Sequence, residues 1–145
     1  MSARLDSDFG GIDEATWDDL EAAALKVREQ AYAPYSSFPV GAAFLTEDGQ
    51  IEVGCNVENA TYGATVCAER TAIGTAVARG VRKFKALCVV TDVPEPSAPC
   101  GICRQVISEF SDDLPIMMVN PAGRRHYTTL DTLLPMRFSK TDFKP

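Results

Sequence analysis

Three cysteines and one glutamate carry most of the chemistry open to this 145-residue chain. Cys67-Ala68-Glu69 is followed further along by Pro99-Cys100-Gly101-Ile102-Cys103. Taken alone, Cys100 and Cys103 read as a redox pair or as half of a structural zinc knuckle. A structural zinc site, however, closes its tetrahedron with four protein ligands. The other cysteines, Cys55 and Cys88, sit inside apolar runs and read as small buried hydrophobes. The one histidine, His126, falls in a distant edge strand and reads as a surface residue. Three thiolates without an evident fourth ligand leave a position for water, which is the pattern of a catalytic site, and soft sulfur favours zinc.

Glu69 lies two residues past Cys67. In isolation such a glutamate merely suits the positive end of a helix dipole. Beside an open metal position it can instead take a proton from water and hand it to a ring nitrogen and a leaving amine. Three thiolates leave a divalent ion with net negative charge, so a nearby cation should offset it. Arg70 and Arg104 each directly follow a segment of the site, and Arg70 is expected to hydrogen-bond a ligand sulfur.

Two helix starts must bring these groups together. A helix is expected from Val66 to Arg79, with Cys67 in its first turn and Gly80 ending it. Another starts just after Pro99, with Cys100 and Cys103 straddling its first turn, and runs to about Phe110. Unpaired N–H groups at both starts favour thiolate over thiol. Upstream, Asp13 caps a helix in which Trp17, Leu20, Ala24, Val27 and Ala31 recur at helical spacing until Pro34 stops it. Val40 to Thr46 and Ile51 to Asn56 form a hairpin about an Asp-Gly turn. Glu58 to Thr65 is a loop, and the apolar run Ala86 to Thr91 reads as a strand buried on both faces. Val93 to Pro99 is loop. Pro115 to Val119 and Arg124 to Thr128 are strands, the second at an edge, and Leu130 to Leu134 is a short helix. This order predicts an α/β domain over 13–138, between a flexible leader (1–12) and a polar tail (139–145).

Bulk properties narrow the partners. A hydrophobic share of 46% supports a real core, and no stretch nears the roughly 20 apolar residues of a membrane span. Met1 to Gly11 lacks the basic and apolar regions of a secretory signal, so the cytoplasm is the expected compartment. An odd cysteine count argues against a disulfide framework. A net charge of −6 repels nucleic acid, and Arg79, Arg82, Lys83 and Lys85 read as a solvated helix end rather than a binding stripe. A small-molecule substrate fits best.

The Cys-x-Glu and Pro-Cys-x-x-Cys pair is the all-cysteine form of the zinc deaminase signature. From about Trp17 to Phe138 the chain closely resembles the small homotetrameric, zinc-dependent cytidine deaminases. The matching segments are Tyr35 to Ala42, Gly54 to Ala60, Thr65 to Ala72 and Pro99 to Gln105. The resemblance implies a three-layer α/β/α sandwich on a mixed five-stranded sheet. It also implies one Zn2+ per subunit on Cys67, Cys100 and Cys103, with Glu69 as the proton shuttle. By the same resemblance, cytidine and 2′-deoxycytidine become uridine and 2′-deoxyuridine with release of ammonia. Asn56 and Glu58 match residues that grip the ribose 3′-hydroxyl, Phe38 the aromatic beside the pyrimidine, and Ala68 with Glu69 the groups that read the base. Ala60 and Tyr62 match positions that reach across a subunit boundary, and Phe138 an aromatic lent to a neighbouring subunit's site. Gln105 matches a residue supporting the metal shell. Ile102, where many relatives have alanine, is a small departure. A deaminase of a cytosine-containing antibiotic such as blasticidin S is the nearest alternative, and a structural zinc-binding interaction module is the alternative of another class.

Overall fold

The computed structural model describes residues 8–143, and its first α-helix begins after Asp13. The Asp13 carboxylate accepts the Thr16 N–H at 2.8 Å and caps helix α1, Glu14–Arg28. The helix ends before Ala31 and Pro34, because residues beyond it turn away to pair with the strand exit. There the Tyr32 N–H donates to Asn56 O at 3.0 Å, and the Glu58 N–H to Tyr32 O at 2.9 Å. Backbone pairing outcompetes the helical periodicity that runs on to Ala31.

Five strands follow: β1 (Val40–Thr46), β2 (Ile51–Cys55), β3 (Phe84–Thr91), β4 (Pro115–Val119) and β5 (Arg125–Thr129). They form one mixed sheet in the order β2-β1-β3-β4-β5, with only β3 and β4 parallel. That parallel step is crossed by helix α3, Gly101–Glu109, as a parallel pair requires. Helix α2 is Ala68–Ala78, and α4 is the short turn Leu130–Leu133.

Both faces of the sheet are covered. Ala43, Ala86, Cys88, Val90 and Met117 pack with Trp17 and Leu20 of α1. Ala42, Phe44, Leu87, Val89 and Ile116 pack with Ala72 and Ile73 of α2 and Ile107 of α3. Alternate residues of β3 therefore enter two different cores, which is why its sequence reads as an unbroken apolar run. The fold is the expected three-layer α/β/α sandwich.

Of the leader expected over 1–12, residues 1–7 lie outside the described residues. From Asp8 onward the segment is built into the fold. Phe9 packs on Tyr127 at 5.2 Å, its carbonyl accepts Trp17 Nε1–H at 3.2 Å, and Ile12 is buried. In the tail, Lys140–Phe143 forms a single tight turn whose Phe143 ring meets Phe138 at 5.4 Å. Cys88 is fully buried, Cys55 is half-buried on β2, and His126 sits on edge strand β5 beside Glu95. In the basic cluster, Arg79 pairs with Glu52 and Lys83 with Asp112, while Arg82 bonds the Val77 carbonyl at the end of α2. Among the described residues, no helix is long and apolar enough to cross a membrane.

Candidate metal and acid–base site

Helices α2 and α3 start side by side. Cys67 is extended, with φ −69° and ψ 157°, so it is the N-cap of α2 rather than part of its first turn. Val66 stays out of the helix because it exchanges two 2.9 Å backbone hydrogen bonds with Val57. Cys100 is likewise the N-cap of α3, and Cys103 lies in its first turn. Neither cap side chain bonds its own helix, so both sulfurs are free to face a common point.

The three Sγ atoms lie within 4.8 Å of one another, with Cys67 and Cys100 at 3.9 Å. Thiolates bound tetrahedrally at about 2.3 Å from zinc stand about 3.8 Å apart. The donor set therefore fits that ion in chemistry and in spacing. Arg70 Nη2 lies 3.6 Å from Cys67 Sγ and also donates to Thr65 O at 3.3 Å. A hydrogen bond from the Cys103 thiol, helped by the Arg70 guanidinium, pulls the Cys67 thiol down to about 5 against the effect of burial. Arg104 plays a different part: it bonds the carbonyls of Pro99 and Leu133 at 2.7 and 2.9 Å, tying α3 to the last residue of α4.

Glu69, in the first turn of α2, is only 4% exposed. Burial pushes its carboxyl up to about 7, and the neighbouring Cys67 charge adds to the rise while Arg70 opposes it. A carboxyl poised near neutral pH can both accept and return a proton.

The site opens into a cavity of about 420 Å³ at the carboxyl end of β3. Phe38, Val40, Ala68 and Val89 make its apolar wall; Asn56, Glu58 and Thr91 are polar, and among the described residues no Lys or Arg lines it. Asn56 Nδ2 donates to Phe38 O at 2.9 Å while its Oδ1 accepts the Val40 N–H at 2.8 Å. Each end of the amide thus keeps a further hydrogen-bonding capacity. Glu58 Oε1 accepts the N–H groups of Tyr35 and Ser36 at 2.9 and 3.1 Å, and Oε2 accepts the Ser36 hydroxyl. The Ser36 hydroxyl holds the Glu58 carboxyl below its ordinary value, with the two backbone donors adding to the effect.

Residues 16–118 match the family described as the cytidine and deoxycytidylate deaminase zinc-binding region. The chain belongs to this family. It is 56% identical over 126 residues to a cytidine deaminase of Sporosarcina psychrophila, covering 86% of this chain and 93% of that one. The crystal structure of a Burkholderia pseudomallei cytidine deaminase superposes with a TM-score of 0.81 at 48% identity, covering 83% of this chain and 98% of that one. A blasticidin-S deaminase of Bacillus cereus is more distant, at 33% over 109 residues, covering 70% of this chain and 77% of that one.

Within this deaminase domain, one chain brings Phe38, Asn56, Glu58, Cys67, Ala68, Glu69 and Cys100 to line a single cavity, with Cys103 and Arg70 beside Cys67. It does not gather the rest. Tyr62 is 75% exposed and packs edge-on against Tyr35, Ala60 is exposed, and Phe138 is 60% exposed beside Phe143. Gln105 Nε2 donates to Phe138 O at 2.9 Å, a tie on the C-terminal segment. Sequence reasoning assigned nothing to Ser36, Thr91 or Ser97, which also line the cavity. Thr91 had a usable signal: a polar residue ending a buried strand lies where α/β sheets bind ligands.

Arg70 yields a direct test. Because its guanidinium faces the Cys67 sulfur, Arg70→Gln is expected to weaken zinc affinity by about 10–100-fold in a chelator competition assay. An unchanged affinity would leave Arg70 a mere partner of the Thr65 carbonyl.

Proposed function

We propose that this protein catalyses the hydrolytic deamination of cytidine and 2′-deoxycytidine to uridine and 2′-deoxyuridine, as a step of cytoplasmic pyrimidine salvage. One observation carries the reading: a buried carboxyl, Glu69, beside three converging sulfurs at the floor of a cavity. Cys67, Cys100 and Cys103 would hold one zinc ion per subunit. When bound, zinc supplies Lewis acidity that makes water a nucleophile at neutral pH.

The chain's own residues do the rest. Glu69 takes a proton from the attacking water and delivers it to ring N3, which makes C4 electrophilic. The water oxygen bonds to C4, giving a tetrahedral carbon. Glu69 then moves the remaining hydroxyl proton to the 4-amino nitrogen, the C4–N bond breaks, and ammonia leaves. Water is consumed and one ammonia formed, so atoms balance without a redox partner. Phe38 packs beside the pyrimidine, Ala68 and Glu69 read its polar edge, and Asn56 with Glu58 meet the sugar hydroxyls. An ionised Glu58 and a lining without Lys or Arg among the described residues disfavour a 5′-phosphate, which supports a nucleoside over a nucleotide.

The exposed Ala60, Tyr62 and Phe138 support assembly into a homotetramer with shared active sites, in which a neighbour's Phe138 covers the base. Phe138→Ala is then expected to raise KM about tenfold, the ~1.5 kcal/mol of one buried aromatic contact, and to loosen the assembly in sedimentation. An unchanged KM would remove Phe138 from the site.

The deciding experiment pairs zinc stoichiometry with ammonia release from cytidine, 2′-deoxycytidine and blasticidin S. Expected are one zinc per chain and the highest kcat/KM on the two plain nucleosides. A preference for blasticidin S would overturn the substrate. Zinc without ammonia release from any cytosine nucleoside would point to a structural interaction module.

A further inference from the structure

The loop before β1 is held by one hydroxyl used in two directions. Ser36 Oγ donates to Oε2 of Glu58 and accepts the Phe38 N–H at 3.1 Å. A hydroxyl has a single hydrogen, so its donation is committed to the carboxylate. Between these contacts Ser37 sits at φ 56°, in the left-handed region that side chains disfavour. Such a residue persists only where its surroundings over-determine it. Here the Ser37 N–H bonds Ala33 O at 3.0 Å, and Asn56 Nδ2 holds the Phe38 carbonyl from the far side. Glu58 in turn gathers the N–H groups of Tyr35 and Ser36. The proposed sugar-binding carboxylate and the proposed base-facing aromatic are thus joined through one side chain.

We infer that Ser36 is a positioning residue for nucleoside recognition: its hydroxyl fixes the Glu58 carboxylate and the Phe38 backbone in one arrangement, leaving Oε2 a lone pair for the ribose 3′-hydroxyl. The inference rests on the proposed deaminase function and deepens it. Ser36 lies at the surface, so removing its hydroxyl leaves the core intact. The larger part of its effect runs through Glu58, because a carboxylate that loses a donor can turn away from the sugar, whereas Asn56 still holds Phe38.

The test is a substrate cycle on the zinc-loaded enzyme. Ser36→Ala is expected to lower kcat/KM for cytidine about tenfold, almost wholly through KM, with kcat within twofold. For 3′-deoxycytidine, which lacks the hydroxyl that Glu58 would receive, the same substitution should cost no more than about twofold. Ser36→Thr, which keeps the hydroxyl, should restore most of the cytidine KM. Equal losses on both substrates, or no loss on cytidine, would overturn the inference. A second readout does not need activity: amide hydrogen exchange at Tyr35, Ser36 and Phe38 should accelerate at least about tenfold in Ser36→Ala. Unchanged exchange removes the clamp whatever the kinetics. Wild-type enzyme that releases no ammonia from either nucleoside removes the deaminase function instead, and the exchange result still decides on the clamp.

Discussion

Glu69→Gln is expected to lose about a thousandfold or more in kcat while keeping its zinc, since proton transfer by a positioned side chain contributes roughly 10²–10⁴-fold. The proposed reaction moves two protons, one to ring N3 and one to the departing amino group, and assigns both transfers to this single carboxyl. Glutamine has nearly the same shape and can still hydrogen-bond, but it cannot accept and return a proton. Burial already holds the Glu69 carboxyl at about 7, well above a solvated glutamate, so the group is tuned for exchange rather than for permanent charge. The substitution leaves the three sulfurs in place and removes a negative charge from beside Cys67, so metal retention is expected to persist. KM should change little, because the proposed sugar-binding residues and the aromatic wall remain. Steady-state kinetics with metal analysis on the same sample make the check. Near-normal turnover with full zinc would take the proton shuttle away from Glu69, and loss of zinc would make it a structural residue of the metal site.

Most of this site was legible in the sequence because its chemistry is local. Cys67 with Glu69, and Cys100 with Cys103, are each close along the chain at the start of one helix, so helical geometry alone puts each pair at one end. The sheet was legible through β3, whose unbroken apolar run requires cover on two faces. What escaped the sequence depends on contacts between distant segments. Val66 lies outside α2 because Val57 claims its backbone, and no propensity at Val66 announces that. Gln105 looks like any polar residue following the Cys103-Arg104 step, yet the return of the C-terminal segment places the Phe138 carbonyl in its reach. Ser36 is one more polar loop residue until Glu58, on the far side of the hairpin, gives its hydroxyl a partner. Phe138 and Tyr62 remain exposed in one chain, so their use depends on surfaces that a single sequence does not juxtapose.

Gly54→Ala is expected to damage both stability and turnover, although Gly54 touches neither the sulfurs nor Glu69 directly. A Cβ at this position on β2 would lie 2.4 Å from Ala72 N and 2.5 Å from Ala68 O. Both are backbone atoms of α2, so no side-chain rotation relieves the clash; helix and strand must part. Overpacking of this kind costs about 1–3 kcal/mol. At the upper end this is a fall in Tm of about 6–12 °C for a domain of this size. The functional cost follows from which turn is displaced. Ala68 opens α2, Cys67 caps it, and Glu69 is the next residue, so the strand pushes on the segment that joins a sulfur to the proposed proton shuttle. A shift of about 1 Å in such a segment lowers turnover by about a hundredfold. Gly74→Ala is the matched control, on the same helix with open space around it. There the same added methyl should stabilise by about 0.5–1 kcal/mol and leave kcat unchanged, because alanine is the better helix former. Opposite signs from one substitution at two positions on this helix–strand pair would tie the acid–base site to the close approach of β2. A Gly54→Ala protein with wild-type Tm and kcat would show that α2 is free to move without disturbing the chemistry.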